Sequence, residues 1–474
     1  MDAINYEKLR VKGYNFETVL TFEIKNSINN HAELNLTGML KNNDEIQSIF
    51  QTTNSKTIEI SYIREKEERL FCGIVTNIEV NVESNVYFVT VEAKSMTYLL
   101  DTEVRSRSFQ NISMTTYDIV KSIMSNYHKS RFNINIPNEP IGELLIQYEE
   151  TDWEFLRRIA SKYNQGLFSN MNDIGISFDM GLFERTKTIE FTNEFYEVYK
   201  DVDEYEYMIK NQIADAIEMD YLTYKIQNYQ ALSLGENIRI NNQKLYIQKC
   251  TYKFSKDMLV NEYELRRGNG LRQKKLFNSK IIGSSIKGKI IGVQGELVKA
   301  HLNIDHNQDI SSAYWFKFST MSASSDGSGW YCMPEIGDNI RVYFPTKDED
   351  QCFAISAVST YSEAAEGEED MMGNPDNKYL KTKYDKQVQL TPEGLFISCD
   401  SGQADAKMTA DGNVSIISKN NIDITAEESI KFEAKKDFSI TSQKSINLVC
   451  EKNGGLQFDE QGNVNELGTQ VKNN

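Results

Sequence analysis

Residues 414–450 read VSIISKNNIDITAEESIKFEAKKDFSITSQKSINLVC, and their period decides the fold of the C-terminal region. Apolar pairs return every eight residues: Val414/Ile416, Ile422/Ile424, Ile430/Phe432, Phe438/Ile440 and Ile446/Leu448. Two positions after each pair sits a small residue, in turn Ser418, Ala426, Ala434, Ser442 and Cys450. Strand side chains alternate faces with period two, so an even repeat keeps one face inward throughout. A helix or coiled coil would need apolar returns near every 3.6 or 3.5 residues, which this stretch lacks. Each octad therefore predicts a short strand followed by a polar corner, such as KNN, EES, KKD or QKS.

Five short strands in a lone chain leave open edges and a half-exposed apolar face. A single-chain solenoid or ordinary hairpins are the plainer alternatives, but winding with identical copies closes the edges directly. With three chains intertwined, each octad adds one layer to each side of a triangular prism, and five layers at about 4.8 Å make a rod of roughly 24 Å. Burying each large apolar side chain contributes about 1.5–3 kcal/mol before ordering costs. That gain exists only in the assembly, so the rod is expected to be an obligate oligomer with the ten paired residues as its core. A second, weaker repeat flanks it: LTPEGLFI (390–397), MTADGNVSI (408–416) and FDEQGNVNEL (458–467) each set a glycine between short strands, as in hairpins capping the rod.

Upstream, period-two patterning dominates. TIEISYI (57–63) and YFVTVEA (87–93) read as strands, and the pattern returns from about 175 to 268. Two helices interrupt it. One spans Ser113–Tyr127, with Ile119, Val120, Ile123 and Met124 at helical spacing; the other starts at TDWEFLRRIASKY. There Thr151 and Glu154 form a capping box and Gly166 is placed to end the helix. LRRGNGLRQKK (265–275) reads as a solvated connector, and 281–360 has the length of a small β-barrel whose PEIGD turn uses Pro334 and Gly337. The acidic stretch 361–378 reads as a flexible linker.

The chain has 474 residues, 40% of them apolar, and a net charge of −17. Such a charge argues against nucleic acid as a partner, because phosphate binding needs clustered Lys and Arg. No run reaches the roughly 18–20 apolar residues that cross a bilayer. The N-terminal stretch has no apolar signal core, so synthesis in the cytoplasm without a signal peptide is expected. Six scattered cysteines without a CxxC predict buried free thiols.

Four segments carry a family resemblance. FCGIVTNIEV (71–80), YLLDTEVRSRSFQN (98–111, with Arg107, Phe109 and Gln110), YEETDWEFLRRIASKYNQGLF (148–168) and GWYCMPEIGDNIRVYF (329–344) follow one another in the order of the VgrG family. With the octads, the chain resembles these trimeric spikes of type VI secretion, which are similar to phage hub and puncturing-spike proteins. The resemblance implies a mainly β chain with a few helices: a two-barrel hub over 1–270, an OB-fold barrel over 271–360, an acidic linker over 361–380 and an intertwined triple-stranded β-helix over 381–474. It further implies a homotrimer whose hub meets a hexameric, Hcp-like inner tube and baseplate proteins. A PAAR-like protein would tip the needle, effectors would travel with it, and the target membrane would be met only on puncture. Assembly into a particle delivered out of the cell follows from the same resemblance. A phage tail or tailocin spike with cell-wall hydrolase activity is the alternative.

The residues themselves favour a structural role, with no enzyme activity, cofactor or metal expected. His301 and His306, with Asp305 between them, lack the spacing of a helical zinc site and read as a surface pair. Asp152 and Glu154 could be paired carboxylates for glycosidic cleavage, but capping explains Glu154 better. SSDGSGW (324–330) reads as a loop before a strand.

Overall fold

The computed structural model describes residues 8–40, 49, 56–63, 65–84, 86–184, 188–191, 195–211, 213, 215–255, 258–322, 324–358, 372–400, 402–451 and 454–470. The chain divides into two compact units, Met1–Thr360 and Tyr361–Asn474. It is mainly β, as the sequence predicts.

Alternating burial builds the first unit. In Thr57–Ile63 the side chains of Ile58, Ile60 and Tyr62 are buried. The main sheet runs Leu9–Lys12, Thr57–Ile63, Glu67–Glu83, Val86–Ser95, Glu33–Leu40, Phe16–Ser27, Gln243–Ser255, Met258–Arg266, Leu222–Asn228, Glu197–Lys200. Asn237–Ile240 pairs with Gln243–Ser255, and Ile189–Glu190 with Asn237–Ile240. The ladders form an open path, so the two predicted barrels take the form of two lobes in one sheet. Phe16–Ser27 and Gln243–Ser255 join them, and Phe22 stacks on Phe254 across the join at 5.4 Å. One hydrophobic core underlies both lobes.

The two lobes repeat each other. Each holds six strands in the same spatial order relative to chain order. The agreement extends to register. In the first lobe Val75 pairs with Ala93, a bulge follows, Asn77 pairs with Glu92, and the hairpin closes at Glu83 and Val86. In the second, Ile247 pairs with Leu265, a bulge follows, Lys249 pairs with Glu264, and the hairpin closes at Ser255 and Met258. Every partner in the second hairpin lies 172 positions after its counterpart in the first.

Between the lobes in sequence lie helices α1 (Thr116–Met124) and α2 (Asp152–Lys162), which bury Ile119, Val120, Trp153, Phe155 and Ile159 in a second core. The predicted box at α2 is present: Thr151 Oγ1 accepts from Glu154 N at 3.1 Å, and Glu154 Oε2 accepts from Thr151 N at 3.0 Å. Thr115 and Asp118 cap α1 in the same way.

The third core belongs to a five-stranded sheet ordered Trp315–Lys317, Leu297–Leu302, Ser285–Gln294, Asn339–Tyr343, Phe353–Ser356. A bridge between Phe318 and Ala354 brings its edge strands together. Gly337 turns at φ 99° in the PEIGD corner, as predicted. Leu144 and Ile146, upstream of α2, are buried in this core. Arg158 fastens the join: it is buried, donating to Glu150 at 2.9 Å and to Glu349 at 2.8 Å.

Several expectations need correction. Helix α2 ends before Gly166, because Asn164 takes the left-handed position at φ 53° and the N–H groups of Asn164 and Gln165 return to Ser161 and Ala160. A Cβ at Gly166 would meet Ile28 Cγ2 at 2.5 Å, so close packing explains that glycine. The region read as strands from 175 to 268 also contains helix α3 (Val202–Asn211), which buries Met208. Residues 265–275 are no solvated connector: Leu265, Arg266, Gly270 and Leu271 are buried, and Arg266 donates to Thr223 Oγ1 at 2.7 Å. Residues 361–371 of the acidic stretch lie outside the described residues, while Lys378–Lys381 forms a strand. All six cysteines are free, but only Cys72, Cys250 and Cys352 are buried; Cys332 and Cys450 are exposed and Cys399 is intermediate.

Candidate assembly interface

The second unit contains two antiparallel meanders with the octads between them in sequence. The first comprises Lys378–Lys381, Lys386–Thr391, Gly394–Cys399, Ala404–Thr409 and Val414–Ser418; the second comprises Ile446–Cys450, Gly454–Phe458 and Val464–Leu467. The weak glycine repeat forms their turns. Gly412 and Gly462 adopt φ 88° and 83°, and each donates its N–H three residues back, to Thr409 and Asp459.

The first octad pair lies on Val414–Ser418 and the last on Ile446–Cys450. Ile422, Ile424, Ile430, Phe432, Phe438 and Ile440 lie in a stretch without strand assignment. Among the described residues, no backbone-to-backbone hydrogen bond holds 420–445. The backbone N–H and C=O groups of this exposed segment are thus left to solvent within the chain. Its side chains are equally uncovered. Nine of the ten pair residues are exposed, from 47% at Ile430 to 70% at Val414, and Ile446 is half-buried. Phe432 and Phe438 stack at 6.0 Å but remain exposed. Contiguous uncovered apolar surface of this kind marks an interaction site.

Two of the small positions carry a specific bond. Ser418 Oγ accepts the N–H of Asn420 at 3.2 Å, and Ser442 Oγ accepts that of Lys444 at 3.3 Å. These side chains fix the polar corners by mimicking a backbone turn.

The octad pattern alone missed the rest of the apolar face. Register aligns Leu380, Val388, Ile397, Ala406 and Ile416 in one row across the first meander, and Leu390, Leu395, Met408 and Val414 in the next. The opposite face is mixed, with Gln387, Gln389, Asp405, Lys407 and Ser415 beside Phe396 and Ile417. The alternation in QVQLTPEGLFIS was the sequence signal for this face. In the second meander Ile446 faces Phe458 and Leu448 faces Leu456.

The candidate chemical groups have structural partners. Asp152 is fully buried and accepts from Arg107 Nη2, Tyr127 OH at 2.7 Å and Gln147 Nε2 at 3.0 Å. Burial and this carboxylate push the Tyr127 phenol up. Glu154 is held in the cap. His301 Nε2 lies 3.0 Å from the Asp305 carbonyl, and the Asp305 carboxylate accepts from Ser108 N at 2.6 Å. His306 lines a polar cleft of about 800 Å3 with Arg105, Arg107, Asn126 and Gln308. No group of three or more potential metal ligands occurs among the described residues.

The family model for the phage tail baseplate hub (GPD) matches residues 29–171. No curated protein matches the chain. Among solved structures, the E. coli c3393 protein is described as a component of the type VI secretion system with structural similarity to the T4 bacteriophage tail proteins gp27 and gp5. It covers 73% of this chain and 99% of its own at 13% identity, with a TM-score of 0.54. A chain of the lidded Francisella PdpA–VgrG complex covers 88% of this chain and 81% of its own at 10% identity, with a TM-score of 0.55. A chain of the lidless PdpA–VgrG complex covers 86% and 98% at 10% identity, again with a TM-score of 0.55. At these identities the likeness is one of fold. The chain is therefore VgrG-like in fold, with its match to the phage baseplate hub family confined to residues 29–171.

Proposed function

We propose that this chain is the hub-and-spike subunit of a contractile injection system or phage-tail-like particle, assembled as a homotrimer around residues 414–450. The observation that carries the reading is the middle of the octad segment: among the described residues, 420–445 has no backbone-to-backbone hydrogen bond, and its apolar pairs are exposed. Three copies would supply partners for both, each strand pairing with neighbouring chains while its apolar pair turns to the shared axis. Continuous pairing and a dry centre would make the rod stiff, so the protein's contribution is mechanical. The region up to about 270 would form the hub that meets a hexameric inner tube and baseplate proteins, and 271–360 the neck. A PAAR-like protein would cap the needle, and effectors would leave the cell with the particle.

Ile430→Asp tests this. Three unpaired carboxylates close to one axis would cost several kcal/mol, and size-exclusion chromatography with light scattering should then find monomers in place of trimers. Trimers unchanged in amount would contradict the reading. Zymography addresses the hydrolase alternative: a lytic band from the purified protein would favour it, and a needle in electron micrographs without one would favour the mechanical role.

A further inference from the structure

The run RSFQ, Arg107–Gln110, divides its side chains between the hub region and the neck sheet. It ends the strand Val104–Phe109, which pairs with Leu145–Thr151 and with no other strand among the described residues. Side chains alternate along such a strand. Arg107 donates to Gln147 Oε1 at 2.7 Å and to Asp152, and Phe109 stacks on Phe155 at 5.5 Å, so both anchor the strand to the core around α1 and α2. Ser108 and Gln110 reach the five-stranded neck sheet instead. The Asp305 carboxylate accepts from Ser108 N at 2.6 Å and from Ser108 Oγ at 2.5 Å. Gln110 is only 2% exposed. Its Nε2 donates to the Ala300 carbonyl at 3.2 Å, and its Oε1 accepts from Tyr314 N at 3.1 Å.

These bonds fall at a particular point of the neck sheet. The ladder between Leu297–Leu302 and Trp315–Lys317 ends at the Lys299–Trp315 pair. The next rung would join Ala300 to Tyr314, and there the Gln110 side chain stands in for a peptide group, offering one donor and one acceptor. One amide orientation alone serves, because the Ala300 carbonyl accepts and the Tyr314 N–H donates. The connection between the two strands is thereby gripped near its start through Asp305 and at its end through Tyr314. We propose that Ser108 and Gln110 are positioning residues that make hub and neck one rigid piece, the Gln110 amide being spliced into the neck ladder so that load on the hub passes into the neck without a hinge. The load rests on the mechanical reading above; the splice rests on the bonds themselves. Arg107 and Phe109 hold the near end of this coupling, which accounts for the alternation in the motif.

Hydrogen exchange at the Tyr314 amide of the full chain is the test. Gln110→Leu keeps the size of the side chain but not its bonds, and should speed exchange there about tenfold relative to the unsubstituted protein. Gln110→Glu should behave as a switch. Protonated, its carboxyl can donate to Ala300 and accept from Tyr314; ionised, it meets the Ala300 carbonyl and the nearby Asp305 carboxylate. A buried Glu can hold its proton to about pH 8–9, so protection should match the unsubstituted protein at about pH 5 and be lost at about pH 9. Reading each variant against the unsubstituted protein at the same pH cancels the titration of Asp305 and His301. Main-sheet peptides such as 249–254 should be unchanged. Tyr314 protection unaffected by Gln110→Leu, no switch in Gln110→Glu, or equal loss across the main sheet would overturn the splice and leave the spike reading standing. Monomers at every concentration by light scattering would overturn the mechanical reading even where the exchange switch is seen.

Discussion

The duplicated sheet and the octad segment are both built from alternating apolar residues, yet they treat those residues in opposite ways. In the sheet, Ile24, Phe71, Val91 and Tyr263 are buried within one chain, and strand follows strand by backbone pairing. In the octads, Ile424, Phe432 and Phe438 stand more than half exposed, and among the described residues their backbone has no backbone partner. Patterning thus specifies which face seeks burial, while strand length and corner length decide whether a single chain can provide it. The sheet strands reach 17 residues and fold back in hairpins. An octad leaves about five residues per strand, with corners too short for a same-chain neighbour, which is why the proposed partner is another copy.

The largest test of that difference is selective unfolding. Ile430→Asp should abolish assembly while leaving the first unit's thermal transition in place, measured by calorimetry beside light scattering. Loss of both transitions would mean that the regions are not independent. Next, Arg158→Met leaves Glu150 and Glu349 buried without their cation, and breaking such a pair costs about 3–5 kcal/mol. Burial already pushes the Glu349 carboxyl up against the pull of Arg158. Denaturant unfolding should register the loss in the first unit, and trimers carrying the substitution should keep their octads protected. Thr151→Ala removes one half of the α2 capping box and should cost about 1 kcal/mol in the same measurement.

The smallest effect concerns pH. His31 is buried against Trp153, and burial holds its imidazole below the ordinary value of 6.5 despite a bond to Asp101. The folded state therefore takes up a proton less readily than the unfolded chain. Stability from this group is complete above that value and falls as pH drops below it. His31→Gln should flatten the stability profile between about pH 7 and 5, and an unchanged slope would count against the assignment.

Much of this was legible in the residues. The capping box at Thr151 and Glu154 and the turn at Gly337 depend on local chemistry that a short stretch carries. The octad period excludes a helix, and the structure has none there, but only the first and last octads lie on strands within the chain. Helix α3 was not legible, since VDEYEYMIKN buries chiefly Met208 and leaves little apolar periodicity. The basic run at 265–275 misled because Arg266 is neutralised by Glu204, 62 residues away. The two lobes were implied by the family resemblance and not by the residues themselves: Asn77 and Lys249, or Val82 and Phe254, share a place in the ladder but not a side chain. For the apolar face of the first meander, the alternation in QVQLTPEGLFIS is a partial signal, and register is what sets Leu380, Val388, Ile397 and Ile416 in a row.

Backbone hydrogen exchange over residues 420–445, followed as the protein is diluted through its dissociation range, tests the central claim most directly. The account predicts strong protection in the trimer and exchange at nearly the unfolded rate once copies separate. Protection that persists in a lone subunit, independent of concentration, would contradict it.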